Sequence, residues 1–133
     1  MSVDRVVYLD ASAIVKLVVR EPESDALRRY LRRRGPTVSS ALARAEVSRA
    51  VLPLGEAALK RARSVLSRID LVKVNARVLG LAGTMPPAQL RTLDTIHLAT
   101  AGLFEDSLAR IVCYDRRLTA TAEEQGWVVE APA

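Results

Sequence analysis

Residues 6–19 read VVYLDASAIVKLVV: an apolar, β-branched run, one aspartate, then a second apolar run holding a single lysine. The first run reads as a strand over residues 3–9. After Asp10 the chain continues as a short helix over 11–19, and Pro22 marks its end. Outward from there the same alternation recurs, the pattern of crossover units on a parallel sheet. A polar helix over 23–34 carries Leu27, Tyr30 and Leu31 on one face and closes at Gly35-Pro36. A brief strand at 37–39 leads to Ser39 or Ser40 as the cap of a helix over 41–52. That helix stacks Ala43, Val47, Ala50, Val51 and Leu54 as an apolar stripe; Pro53 and Gly55 break it, and a helix over 56–67 returns as a hairpin. A strand over 71–74, a helix over 76–82, a loop over 83–87 and a helix over 92–103 follow. A strand over 110–114, a helix over 116–125 and a strand over 127–129 finish the pattern, with Trp127 packing the sheet's end. The expectation is one α/β domain over residues 1–133: a central, mostly parallel sheet of four to five strands flanked by helices.

Composition bounds the function. At 133 residues, half of them hydrophobic, the chain can build a core without disulfide or metal staples. Its one cysteine, Cys113, lies in an apolar run and reads as a small buried hydrophobe suited to a reducing cytoplasm. No run approaches the roughly 20 apolar residues of a membrane span, and the first residues lack the pattern of a signal peptide. The protein is therefore read as cytoplasmic. A net charge of +5, from 20 basic and 15 acidic side chains, attracts polyanions without selecting one. Five aromatic residues are too few for a base-stacking platform. The densest basic stretch, Arg28, Arg29, Arg32, Arg33 and Arg34, reads as a solvated helix face.

Four acids stand in unusual company. Glu21, Glu23, Asp25, Glu105, Asp106, Glu123 and Glu124 lie in polar runs, whereas Asp10, Glu46, Asp94 and Asp115 are each embedded in apolar sequence. An ionised carboxylate near a core costs several kcal/mol unless it is compensated. Asp10 and Asp115 fall just past the carboxyl ends of strands, where open α/β sheets form ligand sites. Asp70 precedes its strand and belongs to the opposite edge. Helix capping alone would account for Asp10, Asp94 or Asp115 singly, but not for Glu46, which reads as mid-helix. If the four converge, their mutual repulsion calls for a divalent cation, and oxygen-only ligands favour Mg²⁺ or Mn²⁺ over zinc.

The same four contexts carry a family resemblance over nearly the whole chain. YLDASAIVKL at 8–17, SSALARAEVSRA at 39–50, LRTLDTIHLATA at 90–101 and IVCYDRRLTATAEEQG at 111–126 resemble, in order, the four motifs of the PIN domain. Within it they are similar to the VapC-type toxins of bacterial toxin–antitoxin pairs. Cys113 is a departure, since the family often has Thr or Ser two residues before the fourth acid; a weaker donor there puts a secondary hydrogen bond in doubt. The resemblance implies a PIN-like fold and an endoribonuclease that uses Mg²⁺ or Mn²⁺. Asp10, Asp94 and Asp115 would be metal ligands, with Glu46 completing the set. It also implies a cognate antitoxin whose C-terminal segment covers the acidic groove, and a homodimer.

Ser12 is a candidate for contact with a carboxylate or phosphate, and Arg116, with Arg117, for contact with RNA phosphates. His97 shares a helix face with Asp94 but reads first as a packed, hydrogen-bonded histidine. Two other classes compete. A receiver-like phosphorylation switch would need a paired acid near the first strand and a lysine after the last; neither is present. A non-catalytic PIN scaffold would gain nothing from four acids in apolar surroundings.

Overall fold

Each β-branched run is short, and each intervening helical stretch carries the chain back to the same edge, so the strands can only stack in parallel. The structure, a computed structural model, describes residues 5–133. The strands are β1 (Val6–Leu9), β2 (Thr37–Ser40), β3 (Asp70–Val72), β4 (Leu108–Val112) and β5 (Val129–Glu130). The helices are α1 (Ala11–Val18), α2 (Ser24–Arg32), α3 (Ala43–Val51), α4 (Glu56–Leu66), α5 (Ala76–Gly83), α6 (Thr92–Gly102) and α7 (Arg116–Glu124). The five strands lie in the order β3-β2-β1-β4-β5, and every pairing is parallel. The expected sheet is thus present with its fullest strand count.

Both faces of β1 are buried, which explains its unbroken apolar sequence. Val7 and Leu9 pack toward Ile14 of α1, Leu27 of α2, Val47 of α3 and Ala62 of α4. Tyr8 points the other way, among Leu98 of α6, Ile111 of β4 and Leu118 of α7. Gly35 lets the turn before β2 close over the start of β1: a Cβ there would stand 2.3 Å from the carbonyl oxygen of Arg5. Among the described residues, no helix is long and apolar enough to cross a membrane.

Several boundaries move for identifiable reasons. Val3 and Asp4, expected in the first strand, lie outside the described residues, and β1 runs from Val6. The stripe on α3 holds at Ala43, Val47 and Val51, but Ala50 is exposed and Leu54 is 58% exposed. Pro53 starts a 3₁₀ turn over Leu52–Leu54 that breaks the period. The last strand begins at Val129 instead of residue 127. Gly126, at φ 89°, ends α7 with Gly126 N–H bonded to the Glu123 carbonyl and Trp127 N–H to that of Ala122. That closure withdraws Trp127 from the sheet and lays its indole 3.4 Å from where a Cβ of Gly102 would be. The strand expected over 110–114 lies at Leu108–Val112, leaving Cys113 and Tyr114 beyond its end.

Candidate active site

The strand order turns at β1, which has β2 on one side and β4 on the other, so the carboxyl ends of β1 and β4 flank a crevice. Asp10 leaves β1 directly into that crevice and caps α1, accepting the Ala13 N–H at 3.1 Å. The same oxygen accepts the Ser12 hydroxyl at 2.7 Å, and Oδ2 accepts the Cys113 thiol at 3.1 Å. Asp10 is only 4% exposed, and burial pushes its carboxyl above the usual range against the pull of those three donors.

Ser12 does two things at once. Its oxygen accepts the Tyr114 N–H at 2.9 Å while its proton goes to Asp10, so it ties the turn after β4 to the end of β1. Asp115 caps α7, its Oδ1 accepting the N–H groups of Arg117 at 2.8 Å and Leu118 at 3.1 Å. Asp94 stands half-buried in the first turn of α6. Its carboxyl is pushed up chiefly by desolvation and next by the charge of Asp115, with Asp10 adding and His97 and Arg91 opposing. Asp94 therefore feels the charges of both Asp115 and Asp10.

Glu46 corrects the sequence reading on one point. The helix begins at Ala43 rather than residue 41, so Glu46 lies in the first turn of α3, where the helix dipole favours an acid. Its Oε1 lies 2.6 Å from Nε2 of His97, and Nδ1 of that ring lies 2.7 Å from the Tyr8 hydroxyl. His97 is 2% exposed, the packed and hydrogen-bonded residue its setting suggested. Glu46 and Asp10 both act on Tyr8, whose phenol is raised far above its ordinary range, chiefly by burial. Asp70 opens β3 opposite Val38, at the amino edge away from these acids.

The remaining candidates separate by edge. Arg116 and Arg117 are exposed on the turn next to Asp115. Arg29, Arg32, Arg33 and Arg34 are exposed at the end of α2, which leads into the amino end of β2, on the far side of the sheet from the acids. Two contributors were only partly legible beforehand. Cys113 does donate to Asp10, the secondary hydrogen bond that a sulfur at this place puts in doubt from sequence. Tyr8, a polar-tipped aromatic in an otherwise aliphatic strand, was the available signal for the contact with His97.

As they stand, Asp10, Glu46 and Asp115 spend their bonds on other groups of the protein, and among the described residues no three His, Cys, Asp or Glu side chains converge closely enough to hold one ion. The donor set nevertheless fits a hard divalent cation: carboxylate oxygens only, on one edge, with two members raised by burial and one of those also by its neighbours' charge.

An all-parallel sheet in this order, with acids after β1 and β4 and at the starts of α3 and α6, defines a class. The chain belongs to the PIN domain family, whose model matches residues 7–124. Within it the chain is of the VapC type. It is 59% identical over 127 residues to Ribonuclease VapC46 of Mycobacterium tuberculosis, covering 96% of this chain and 98% of that protein. Two solved structures share the fold. One is the crystal structure of M. tuberculosis VapC20, described as a Sarcin-Ricin loop cleaving toxin (TM-score 0.72, 15% identity, 96% of this chain and 99% of that one). The other is a toxin–antitoxin complex from Klebsiella pneumoniae (TM-score 0.73, 19% identity, 96% and 98%).

Proposed function

We propose that this chain is the toxin of a toxin–antitoxin pair, a single-domain, cytoplasmic endoribonuclease that hydrolyses RNA phosphodiesters with Mg²⁺ or Mn²⁺. The observation that carries the reading is Asp10: a carboxylate 4% exposed, held by three donors, at the crevice it shares with Asp94 and Asp115. Burying such a charge is costly unless an opposite charge is brought to it. The 59% identity to a ribonuclease over nearly the whole chain supports the chemistry.

Asp10, Asp94 and Asp115 would hold the ion, with Glu46 completing the set. When bound, a divalent cation lowers the pKa of water and neutralises charge on the attacked phosphate. Ser12 and Cys113 hold the Asp10 carboxylate in place, and Arg116 would hold a phosphate of the RNA. A cognate antitoxin whose C-terminal segment covers the acids would keep the enzyme silent, and the toxin would act as a homodimer. The Klebsiella complex supports a protein partner of this kind.

The test is cleavage of RNA by the purified, partner-free protein with Mg²⁺ or Mn²⁺, stopped by EDTA. Asp10→Asn and Asp94→Asn should each abolish it with circular dichroism unchanged. Cleavage that survives both substitutions would overturn the metal mechanism. A folded protein that binds its antitoxin but cuts no cellular RNA would be a scaffold instead.

A further inference from the structure

Three polar side chains from three elements meet in the interior beside the acids, and the capping and packing described so far do not require them to. Tyr8 of β1 is 1% exposed and His97 of α6 is 2% exposed, their rings edge to face at 5.8 Å and 80°. The phenol oxygen lies 2.7 Å from Nδ1, and Nε2 lies 2.6 Å from Glu46 Oε1 on α3. A phenol keeps its proton at neutral pH and, once buried, must donate it. Nδ1 is the one hydrogen-bond partner that the structure gives the phenol among the described residues, and so the acceptor of its proton.

We infer that Tyr8 sets the tautomer of His97, and that His97 in turn fixes the carboxylate of Glu46 for the reaction. The phenol proton on Nδ1 confines the ring's own proton to Nε2, which is donated to Oε1. Glu46 is thereby held as an acceptor with a defined rotamer, and its Oε2 makes no hydrogen bond among the described residues. The consequence reaches further, because His97 lies one turn from Asp94 on α6. Tying Glu46 to His97 therefore fixes the carboxylate of α3 against that of α6, although the two residues joined are 51 positions apart. His97 and Tyr8 are positioning residues: they act on the acids and touch no substrate. This reading builds on the proposed nuclease function for its effect on rate, but not for its geometry.

The chain contains one histidine, so protein labelled with ¹⁵N-histidine gives a single pair of ring-nitrogen signals. At pH 7.5, free of metal and RNA, the ring should be protonated on Nε2 with Nδ1 hydrogen-bonded. Tyr8→Phe, which keeps the packing, should shift the Nδ1 signal toward that of a free lone pair. Glu46→Gln should move the Nε2 signal. In cleavage assays Tyr8→Phe and His97→Leu should lower kcat with KM little changed, the latter by about 10- to 100-fold. His97→Gln, whose amide can still donate to Glu46, should recover part of the loss. A ring protonated on Nδ1, or ring signals unmoved by Tyr8→Phe, would overturn the inference. The nitrogen signals need neither RNA nor metal, so a protein that shows them but cuts nothing sinks the nuclease reading and leaves this one standing.

Discussion

Cys113 Sγ lies 3.1 Å from Oδ2 of Asp10, joining the ends of β4 and β1 across 103 residues of sequence. The sulfur also accepts the Asp115 N–H at 3.3 Å, so one side chain touches two of the four acids' positions. Burial and the Asp10 charge hold the thiol well above its ordinary range, so it acts as a donor and not as a thiolate.

Removing that donor should weaken metal binding without disturbing the fold. Cys113→Ser keeps an O–H in place and should bind Mn²⁺ as well as the wild type. Cys113→Ala forfeits the hydrogen bond, about 1 kcal/mol or a roughly fivefold loss of affinity. Isothermal titration with Mn²⁺ reads both; equal affinities would mean that the thiol is only packing.

Asp10 should make metal-free stability depend on pH in a direction opposite to that of most carboxylates. Its carboxyl is raised in the folded state above the ordinary 3.8, so the folded chain holds this proton more tightly than the unfolded one. Its contribution to stability is therefore fullest below 3.8 and is lost as pH rises through the folded value. Asp10→Asn retains a cap but cannot ionise. In EDTA the variant should melt above the wild type at neutral pH, with the gap closing on acidification. Added Mg²⁺ should narrow the gap at neutral pH by stabilising the wild type alone. Melting curves with no gap at any pH would contradict a buried, strained charge at this position.

Basic residues should matter by edge rather than by number. Arg116 adjoins Asp115, whereas Arg33 ends α2 on the far side of the sheet. Arg116→Ala should raise KM for RNA roughly fivefold, about 1 kcal/mol, with kcat little changed. Arg33→Ala should leave both constants as they are. The reverse ranking in steady-state cleavage would place the RNA on the basic helix instead.

Gly35→Ala offers a control remote from the acids. The added methyl would press on the Arg5 carbonyl from 2.3 Å, and overpacking of this kind costs about 1–3 kcal/mol. Urea unfolding should show a lower midpoint with an unchanged slope, while the folded fraction keeps its specific activity.

Much of this protein was written into local sequence. Apolar runs broken by turn residues specify strands and helices because periodicity and capping act over a few neighbours, and Asp10, Glu46, Asp94 and Asp115 stood out because each interrupts such a run. Boundaries failed where a local device was hidden in a longer pattern. Examples are the Pro53 turn that exposes Leu54 and the Gly126 closure that takes Trp127 out of the sheet. What only the tertiary structure decided is which side chain faces which across the crevice. The thiol on Asp10 and the Tyr8–His97–Glu46 contacts span 51 to 103 residues. Such pairings arise from strand register and helix placement on the sheet, and no window of neighbouring residues encodes those distances.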